Sequence, residues 1–384
     1  MKVKVWDLPT RLVHWLLVAV FALAFLASRD EWLLEYHAAA GYAALVLVLF
    51  RVFWGFAGAR YARFSDFVRG FKEVGEFLRG VVRFHPKRYL GHNPAVGWII
   101  LFILASAAAI VVTGVITYGG EENRGVWAGV FTLEAAVYAR AAHVFLSYLL
   151  VFVIVLHICA ALFHDFILKE NIILAMFTGK KEDAESWGER VAHLKPEEEP
   201  TRTGLIVWII ISILGGLGLV FMRPEGRSDP ARIEPVKIIA SSGMAVELKI
   251  NRVWFEECAR SCHAGFHPTL LPEASWKKVM AGLEDHFGEN VSLDAKTNEE
   301  ISYYLVSASA ERSTSEASRK ILYSLKGAPP SLRITQAPYW KDKHARIPPD
   351  VYARKSVMSK GNCVACHPGA EKGSFEDRDI GIPD

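Results

Sequence analysis

The stretch that decides the fold is residues 143–164, HVFLSYLLVFVIVLHICAALFH, an apolar run with histidines at positions 143, 157 and 164. Crossing the hydrocarbon core of a bilayer takes about 20 mostly apolar residues in helical conformation. The stretch has that length, and ionisable side chains inside such segments are rare and usually functional. The sequence therefore predicts a membrane-spanning helix that carries functional histidines.

The rest of the chain divides into an apolar part and a polar part. The first 222 residues contain five stretches long and apolar enough to span a membrane, and the remaining 162 contain none. The predicted spans lie at about 12–28, 38–57, 95–118, 141–167 and 204–222. The polar part is charged and rich in proline, which indicates a separate water-soluble domain.

The charges between the spans predict the orientation of the chain, since cytoplasmic loops of membrane proteins retain Lys and Arg. With the N-terminus inside, the inner segments hold seventeen Lys and Arg residues and the outer segments hold three. Five spans then place everything after Met222 outside, and the first span is expected to act as an uncleaved signal anchor. The formal net charge of +3 is too small to favour a nucleic acid as partner.

The outer domain ends in a cysteine motif, Cys363-Val364-Ala365-Cys366-His367, which reads C-x-x-C-H. In this pattern the two thiols bond covalently to a haem and the histidine binds its iron. A disulfide is the simpler use of paired cysteines in an oxidising compartment, and half of a zinc site is another. Neither needs a histidine directly after the second cysteine, so the motif predicts a c-type haem.

A related motif, CARSCH at residues 258–263, has three residues between its cysteines instead of two. It predicts a second c-type haem held by Cys258, Cys262 and His263, because the spans deliver it to the same compartment as the first motif. Each iron also takes a distal ligand. The candidates in this domain are His267, His286, His344, Met244, Met280 and Met358. His267 follows His263 too closely to reach the opposite haem face easily, so we expect His286 and His344 to be the distal ligands.

Four histidines lie within the predicted spans: His14, His37, His143 and His157. A lone histidine there can simply bond to a neighbouring helix. His143 and His157, however, are about 3.9 turns and about 21 Å apart along one helix, so they share a face at opposite depths. By depth, His14 matches His157 and His37 matches His143. Two such pairs predict two b-type haems stacked across a hydrocarbon core about 30 Å thick.

Two further ionisable residues lie near the inner pair. Arg51 follows His37 by fourteen residues, and a buried arginine there needs a carboxylate such as a haem propionate. The alternative is that Arg51 extends to the inner membrane surface. His164 lies on the same face as His157, where it could line a quinone pocket, contact a propionate or occupy the interface.

These residues make the chain resemble two families. Residues 1–178 resemble the prokaryotic cytochrome b561 family, which includes the cytochrome b subunits of membrane-bound nickel-iron hydrogenases. The likeness rests on RLVHW around His14, EYHAAAGY around His37, GHNP at 91–94, Thr113-Gly114, and the pair His143 and His157. It implies that these four histidines bind haem and that the quinone pool is a partner.

The region after about residue 230 resembles periplasmic diheme cytochrome c domains. The likeness rests on CHAGFHPTLLPEASW at 262–276, GLEDHFG around His286, the segment around His344 and the final CVACH. The chain departs from the family's pattern at 258–263, where the two cysteines are one residue farther apart than usual. This departure affects the geometry of that haem more than its presence. Both likenesses together imply a bacterial inner membrane protein with its C-terminal domain in the periplasm.

The expected fold class is an all-α membrane protein. Its expected parts are a four-helix transmembrane domain with two b haems (1–178), a cytoplasmic linker (179–203), a fifth transmembrane helix (204–222), a second linker (223–235) and a mainly helical, loop-rich periplasmic domain with two c haems (236–384).

The expected function is electron transfer between quinone or quinol in the bilayer and a soluble periplasmic cytochrome or other redox protein. The direction of flow, quinol oxidation or quinone reduction, stays open, as does assembly into a homodimer or a larger redox complex. Two alternatives also stay open. One is a membrane anchor subunit of a hydrogenase or dehydrogenase, and the other is an enzyme acting on a small molecule such as superoxide.

Overall fold

The structure, a computed structural model, describes residues 2–30, 33–182, 235–260 and 265–384. These residues form two compact units. The first unit comprises the described residues of Met1–Ile116 and Tyr138–Pro224, and the second comprises those of Thr117–Val137 and Glu225–Asp384. The predicted fifth span at 204–222 lies outside the described part of the chain, as do Cys262 and His263.

The first part of the chain is almost entirely helical. Its elements, in chain order, are β1 (Lys2–Lys4), α1 (Leu8–Ala27), α2 (Leu34–Ala57), a 3-10 turn (Arg60–Ala62), α3 (Phe64–Phe67), α4 (Phe71–Val82), α5 (Pro94–Glu121), α6 (Leu133–Leu162), a π-helical turn (Phe163–Ile167), α7 (Ile172–Thr178) and β2 (Lys180–Glu182). Helices α1, α2, α5 and α6 are long and apolar enough to cross a membrane. The prediction of a mostly helical protein with these four spans is confirmed.

The surface of the four long helices is suited to lipid. Large apolar side chains such as Leu26, Phe145 and Phe152 are 64%, 68% and 60% exposed. A soluble protein rarely exposes a continuous apolar surface, whereas a helix in lipid satisfies its own backbone and can present apolar side chains outward. The chain is therefore an integral membrane protein.

The start of α1 is fixed by its N-cap. The Asp7 carboxylate accepts a hydrogen bond from the Thr10 backbone N–H at 3.2 Å and another from the Trp54 indole Nε1 at 2.7 Å. Trp54 is fully buried and stacks on Phe50 with ring centres 5.4 Å apart. This packing fixes α1 against α2. Strands β1 and β2 pair antiparallel, so the residues before α1 are joined to those after α7.

The C-terminal domain is loop-rich with short helices. Its elements are strands β3 (Lys237–Ile239) and β4 (Ala245–Glu247), helices α8 (Arg252–Trp254), α9 (Glu273–Ala281), α10 (Ala295–Ser307), α11 (Glu316–Ser324), α12 (Pro338–Lys343) and α13 (Pro349–Ala353), and several 3-10 and π-helical turns. Strands β3 and β4 form an antiparallel pair. The core of this domain includes Trp254, Leu271, Ile301, Leu305 and Ile321. The prediction of a mainly helical, loop-rich domain is confirmed.

Candidate functional site

The first candidate site lies between α2 and α6. His37 in the first turn of α2 faces His143 on α6, and their ring centres are 5.9 Å apart. A metal–imidazole bond is about 2 Å long, so two imidazoles on opposite sides of one iron have ring centres about 6 Å apart. The pair therefore has the spacing that a bis-histidine haem requires.

Hydrogen bonds orient both rings of this pair. The His37 Nδ1 bonds to the Ala24 carbonyl at 2.8 Å, and the His143 Nδ1 bonds to the Ile110 carbonyl at 2.8 Å. A carbonyl oxygen only accepts, so each Nδ1 must carry the proton. In a neutral imidazole this leaves the lone pair on Nε2, the atom that would bind iron.

Because Gly114 on α5 has no side chain, the His143 ring has room beside it. A Cβ added at Gly114 would lie 2.9 Å from the His143 Cε1 and 3.1 Å from its Nδ1. The neighbouring Thr113 Oγ1 lies 3.4 Å from the same Nδ1. Helix α5 therefore supplies no ligand to this site but determines where the His143 ring lies.

Substituting Gly114→Ala is expected to displace the His143 ring and to lower the free energy of unfolding by about 1–3 kcal/mol, as other overpacked sites do. Thermal unfolding and the haem b content of the purified protein would measure both effects. Gly41→Ala is the matched control, since a Cβ at Gly41 would have no neighbour within 4 Å. Equal behaviour of the two variants would contradict this role of Gly114.

The second candidate site pairs His14 on α1 with His157 on α6. The two imidazoles are close enough that a charge on one would affect the other. The Nδ1 atoms of both are buried and have no hydrogen-bond partner among the described residues. Neither ring is therefore oriented by a backbone carbonyl at Nδ1, as the rings of His37 and His143 are.

Arg51 and the second pair of histidines share a neighbour, because His92 interacts electrostatically with Arg51, His14 and His157. It is buried with 7% exposure, and its Nη1 has no hydrogen-bond partner among the described residues. Its guanidinium lies over the rings of Phe64 and Phe67, 5.4 and 5.7 Å from their centroids. This position agrees with the expectation that Arg51 is buried. It does not agree with extension of the Arg51 side chain to the membrane surface. An anionic group such as a propionate would complete its hydrogen bonding.

Sequence reasoning missed His92, which lies in the loop before α5. Its ring packs between Trp6 and Phe67, with centroid separations of 4.4 and 4.8 Å. The His92 Nδ1 is buried and has no hydrogen-bond partner among the described residues. The only signal in the sequence was its place in the GHNP motif.

His164 has partners of its own. It is 7% exposed, and its Nδ1 lies 3.1 Å from a carboxylate oxygen of Glu170, which is 6% exposed. Its ring also stacks on Phe77 with centroids 6.1 Å apart. The His164 ring is thus held inside the protein by the Glu170 carboxylate and the Phe77 ring.

The third candidate site is in the C-terminal domain, where His344 faces His367 with ring centres 6.1 Å apart. The His344 Nδ1 bonds to the Trp340 carbonyl at 2.8 Å, and the Trp340 ring stacks on it at 4.1 Å. Burial, and then the nearby His344, lowers the pKa of His367 to about 4. The imidazole is therefore neutral at physiological pH, which is the form that binds iron.

Cys363 and Cys366 lie in the turn before His367. Their thiols are not joined in a disulfide. Burial raises the pKa of the Cys363 thiol to about 11 and also raises that of Cys366. Both thiols are available for thioether bonds to a haem next to the facing histidines.

The site of the 258–263 motif is described only in part. Cys258 lies within a π-helical turn, Phe255–Ala259, and His286 lies half-buried with its ring 4.8 Å from that of Phe287. The histidine that directly follows this motif's second cysteine, His263, lies outside the described residues. His267 is buried, and its Nδ1 lies 2.7 Å from the Thr269 Oγ1.

Comparisons with known proteins match these two halves of the chain. A family profile for prokaryotic cytochrome b561 matches residues 5–179, and one for dihaem cytochrome c matches residues 254–375. The chain is 29% identical over 213 residues to a probable Ni/Fe-hydrogenase B-type cytochrome subunit of Azotobacter vinelandii, covering 46% of this chain and 87% of that protein. A protein of the same description from Cupriavidus necator is 28% identical over 208 residues, covering 46% and 85%.

Two solved structures match the C-terminal half. One is DHC purified from Rhodobacter sphaeroides, 35% identical, covering 33% of this chain and 99% of that chain with a TM-score of 0.27. The other is a diheme cytochrome type c from Shewanella baltica, 33% identical, covering 35% and 93% with a TM-score of 0.28. By the two family profiles, residues 5–179 belong to the prokaryotic cytochrome b561 family and residues 254–375 to the dihaem cytochrome c family. The chain is a membrane electron-transfer protein that binds haem b and haem c.

Proposed function

We propose that the chain carries electrons between the quinone pool of a bacterial inner membrane and a soluble redox partner in the periplasm. The path is quinone, two b haems, two c haems and partner. The proposal is supported most directly by two pairs of facing histidines. The ring centres are 5.9 Å apart for His37 and His143 and 6.1 Å apart for His344 and His367, which is the spacing of two imidazoles on one iron.

The b haems lie between His37 and His143 and between His14 and His157. Both pairs include a residue of α6, on which fourteen residues correspond to about 21 Å along the axis. One haem alone would leave part of the apolar core, about 30 Å thick, uncrossed by redox groups. Arg51 balances the charge of a propionate beside His14 and His157, which supports placing that haem at the cytoplasmic end.

One c haem would be held by Cys258, Cys262 and His263, and the other by Cys363, Cys366 and His367. His286 and His344 would supply the second ligands to the two irons. The haems supply one-electron chemistry, and the protein's part is to hold each iron between two neutral imidazoles in a dry site. Two protein ligands on each iron would leave no position for a small substrate, which would favour a carrier over an enzyme acting on superoxide.

Quinol reduction of the purified protein in lipid tests this function. We expect a quinol to reduce the b haems first and the c haems afterwards, as followed by their separate absorption bands. We also expect the fully reduced protein to bind no carbon monoxide, because each iron has two protein ligands. Failure of every quinol tried to reduce the b haems would contradict the quinone half of the proposal.

A second candidate function is favoured by the similarity to proteins described as probable Ni/Fe-hydrogenase B-type cytochrome subunits. In that case the chain would anchor a larger enzyme and exchange electrons with its metal centres. Purification from membranes in mild detergent distinguishes the two, since an anchor subunit co-purifies with a large metal-containing subunit in fixed ratio.

A further inference from the structure

Helix α4 (Phe71–Val82) is separate from the four long helices and carries exposed apolar side chains of its own. Phe71, Leu78 and Val82 are 74%, 49% and 79% exposed. Leu78 and Val82 follow Phe71 by seven and eleven residues, which correspond to about two and three full helical turns. The three side chains therefore form one apolar stripe along the exposed surface of the helix.

A row of basic side chains borders the apolar stripe. Lys72, Arg79 and Arg83 each follow a member of the stripe by one residue, or about 100° around the helix axis. All three are exposed, and no ion pair joins any of them to another residue in the described part of the chain. Arg60, by comparison, lies 3.9 Å from Asp66. The basic row is thus available to an anionic surface.

The other border of the apolar stripe faces the protein. Phe77 precedes Leu78 by one residue, so it lies on the side away from the basic row, and it is 5% exposed. Its ring stacks on that of His164, with centroids 6.1 Å apart, and meets the edge of the Tyr89 ring at 6.0 Å. Because His164 lies at the end of the fourth span, this packing fixes the rotation of α4 and keeps the apolar stripe outward.

The start of α4 is attached to the start of the third span. The Phe71 ring stacks on that of Trp98 with centroids 4.7 Å apart, and the Trp98 indole Nε1 donates to the Arg69 carbonyl at 2.9 Å. Trp98 lies in the second turn of α5, which begins at Pro94. Tryptophan near the end of a span is typical of the membrane–water interface. The start of α5 and the end of α6 are on the same side of the membrane, so α4 is held at the level of the lipid headgroups.

The apolar stripe also continues the lipid-facing surface of α5. Phe71 touches Trp98, and Phe102, about one turn further along α5, is 42% exposed. A protein bound to the stripe would compete with the lipid that surrounds this part of the span. Lipid is therefore the occupant that fits the stripe and the neighbouring span together.

The charges around α4 indicate which lipid it binds. Residues 60–88 contain eight Lys and Arg but only three Asp and Glu. Two of the acidic residues, Glu73 and Glu76, lie on the helix face opposite the apolar stripe, where they would face water. Basic side chains at the border of an apolar face extend to lipid phosphates while their methylene groups stay in apolar surroundings. An excess of positive charge at this level favours anionic phospholipid.

We propose that α4 is an interfacial helix that binds anionic phospholipid. The apolar stripe enters the boundary between headgroups and acyl chains, and the side chains of Lys72, Arg79 and Arg83 bind lipid phosphates. The leaflet is the one at the start of α5 and the end of α6. This binding surface is additional to the electron-transfer function and does not depend on its direction.

Spin labels on two faces of α4 test which molecules cover the apolar stripe. The full chain with Cys159→Ser, in nanodiscs that contain phosphatidylglycerol, carries one nitroxide at Val82→Cys on the stripe or at Glu76→Cys on the opposite face. Both positions are exposed, so the label replaces no buried contact. The Cys159→Ser chain without an added cysteine gives the background signal. Power saturation then measures access of oxygen, which concentrates in lipid, and of a water-soluble nickel chelate.

We expect the Val82 label to be accessible to oxygen and to lose access to the chelate, while the Glu76 label stays accessible to the chelate. Equal access of the chelate to both labels would place the stripe in water and contradict the proposal. Exclusion of both reagents from the Val82 label would mean that a protein partner or a second copy of the chain covers the stripe. That result would also contradict the proposal.

Charge variants test whether the lipid is recognised by its phosphate. Each basic residue near an anionic surface contributes about 1 kcal/mol, so removing one weakens insertion of the stripe by about fivefold. The triple variant Lys72→Gln, Arg79→Gln, Arg83→Gln should therefore restore chelate access to the Val82 label. The control is the double variant Glu73→Gln, Glu76→Gln, which changes two charges on the other face and should keep the chelate excluded.

Two changes of condition should reproduce the effect of the triple variant in the parent sequence. One is a nanodisc made of phosphatidylcholine alone, and the other is salt at about 1 M, where charges are screened beyond about 3 Å. The haem absorption spectrum of each sample shows whether the fold is kept. Exclusion of the chelate that persists in the triple variant and in uncharged lipid would overturn the assignment of anionic phospholipid.

Discussion

Replacing His143 by alanine is expected to remove one b haem from each chain and to stop quinol from reducing the c haems. His143 faces His37 at 5.9 Å, and its Nδ1 proton is held by the Ile110 carbonyl, so the ring is positioned to bind through Nε2. Without this ring the haem would keep one protein ligand instead of two. Loss of even an outer hydrogen-bond partner typically costs 10–100-fold in metal affinity, and loss of a ligand costs more.

The measurement is the amount of haem extractable with acid acetone, relative to the haem that stays covalently bound. We expect the extractable haem to fall by half while the covalent haem is unchanged. His85→Ala is the matched control, because His85 is exposed and bonds only to the carbonyl of Arg83 among the contacts described. Full retention of extractable haem in His143→Ala would remove His143 from the proposed ligands.

Replacing His344 by alanine is expected to open one iron to external ligands. The His344 and His367 rings face each other at 6.1 Å, and the stacked Trp340 ring and carbonyl hold His344 in place. Because the haem is covalently attached through Cys363 and Cys366, it should stay bound when its distal ligand is lost. The reduced variant should therefore bind one carbon monoxide per chain, whereas the parent protein binds none.

His267→Gln is the histidine control for this experiment. His267 is buried but paired with Thr269, and it follows the proximal His263 too closely to cross to the other haem face. The reduced His267→Gln variant should not bind carbon monoxide. Binding to His267→Gln would instead make His267 a ligand of the haem at 258–263 and would contradict the assignment of His286.

The membrane helices could be predicted from sequence because each is decided by its own residues. The apolar run at 38–57 corresponds to α2 (Leu34–Ala57), and the run at 95–118 to α5 (Pro94–Glu121). The fourteen-residue spacing on α6 was also enough to propose which histidines share a depth. Helix geometry is periodic, so positions along a span follow from counting residues.

Features that depend on distant parts of the chain could not be predicted in this way. The ring of His92 lies among side chains from the N-terminal segment and α3, and no local pattern indicates that packing. The buried charges around Lys320 join residues about 200 positions apart. In the sequence, Glu121 and Glu122 are simply the polar end of a span. Nothing near them in the chain indicates that Lys320 is their partner.

The backbone hydrogen bonds at His37 and His143 have a consequence for how electrons are distributed at rest. An imidazole whose Nδ1 proton is shared with a carbonyl is a stronger electron donor to iron and favours the oxidised metal. The Nδ1 atoms of His14 and His157 have no such partner among the described residues. With haem bound at both pairs, the two centres would have unequal midpoint potentials, and a single electron would reside mainly between His14 and His157.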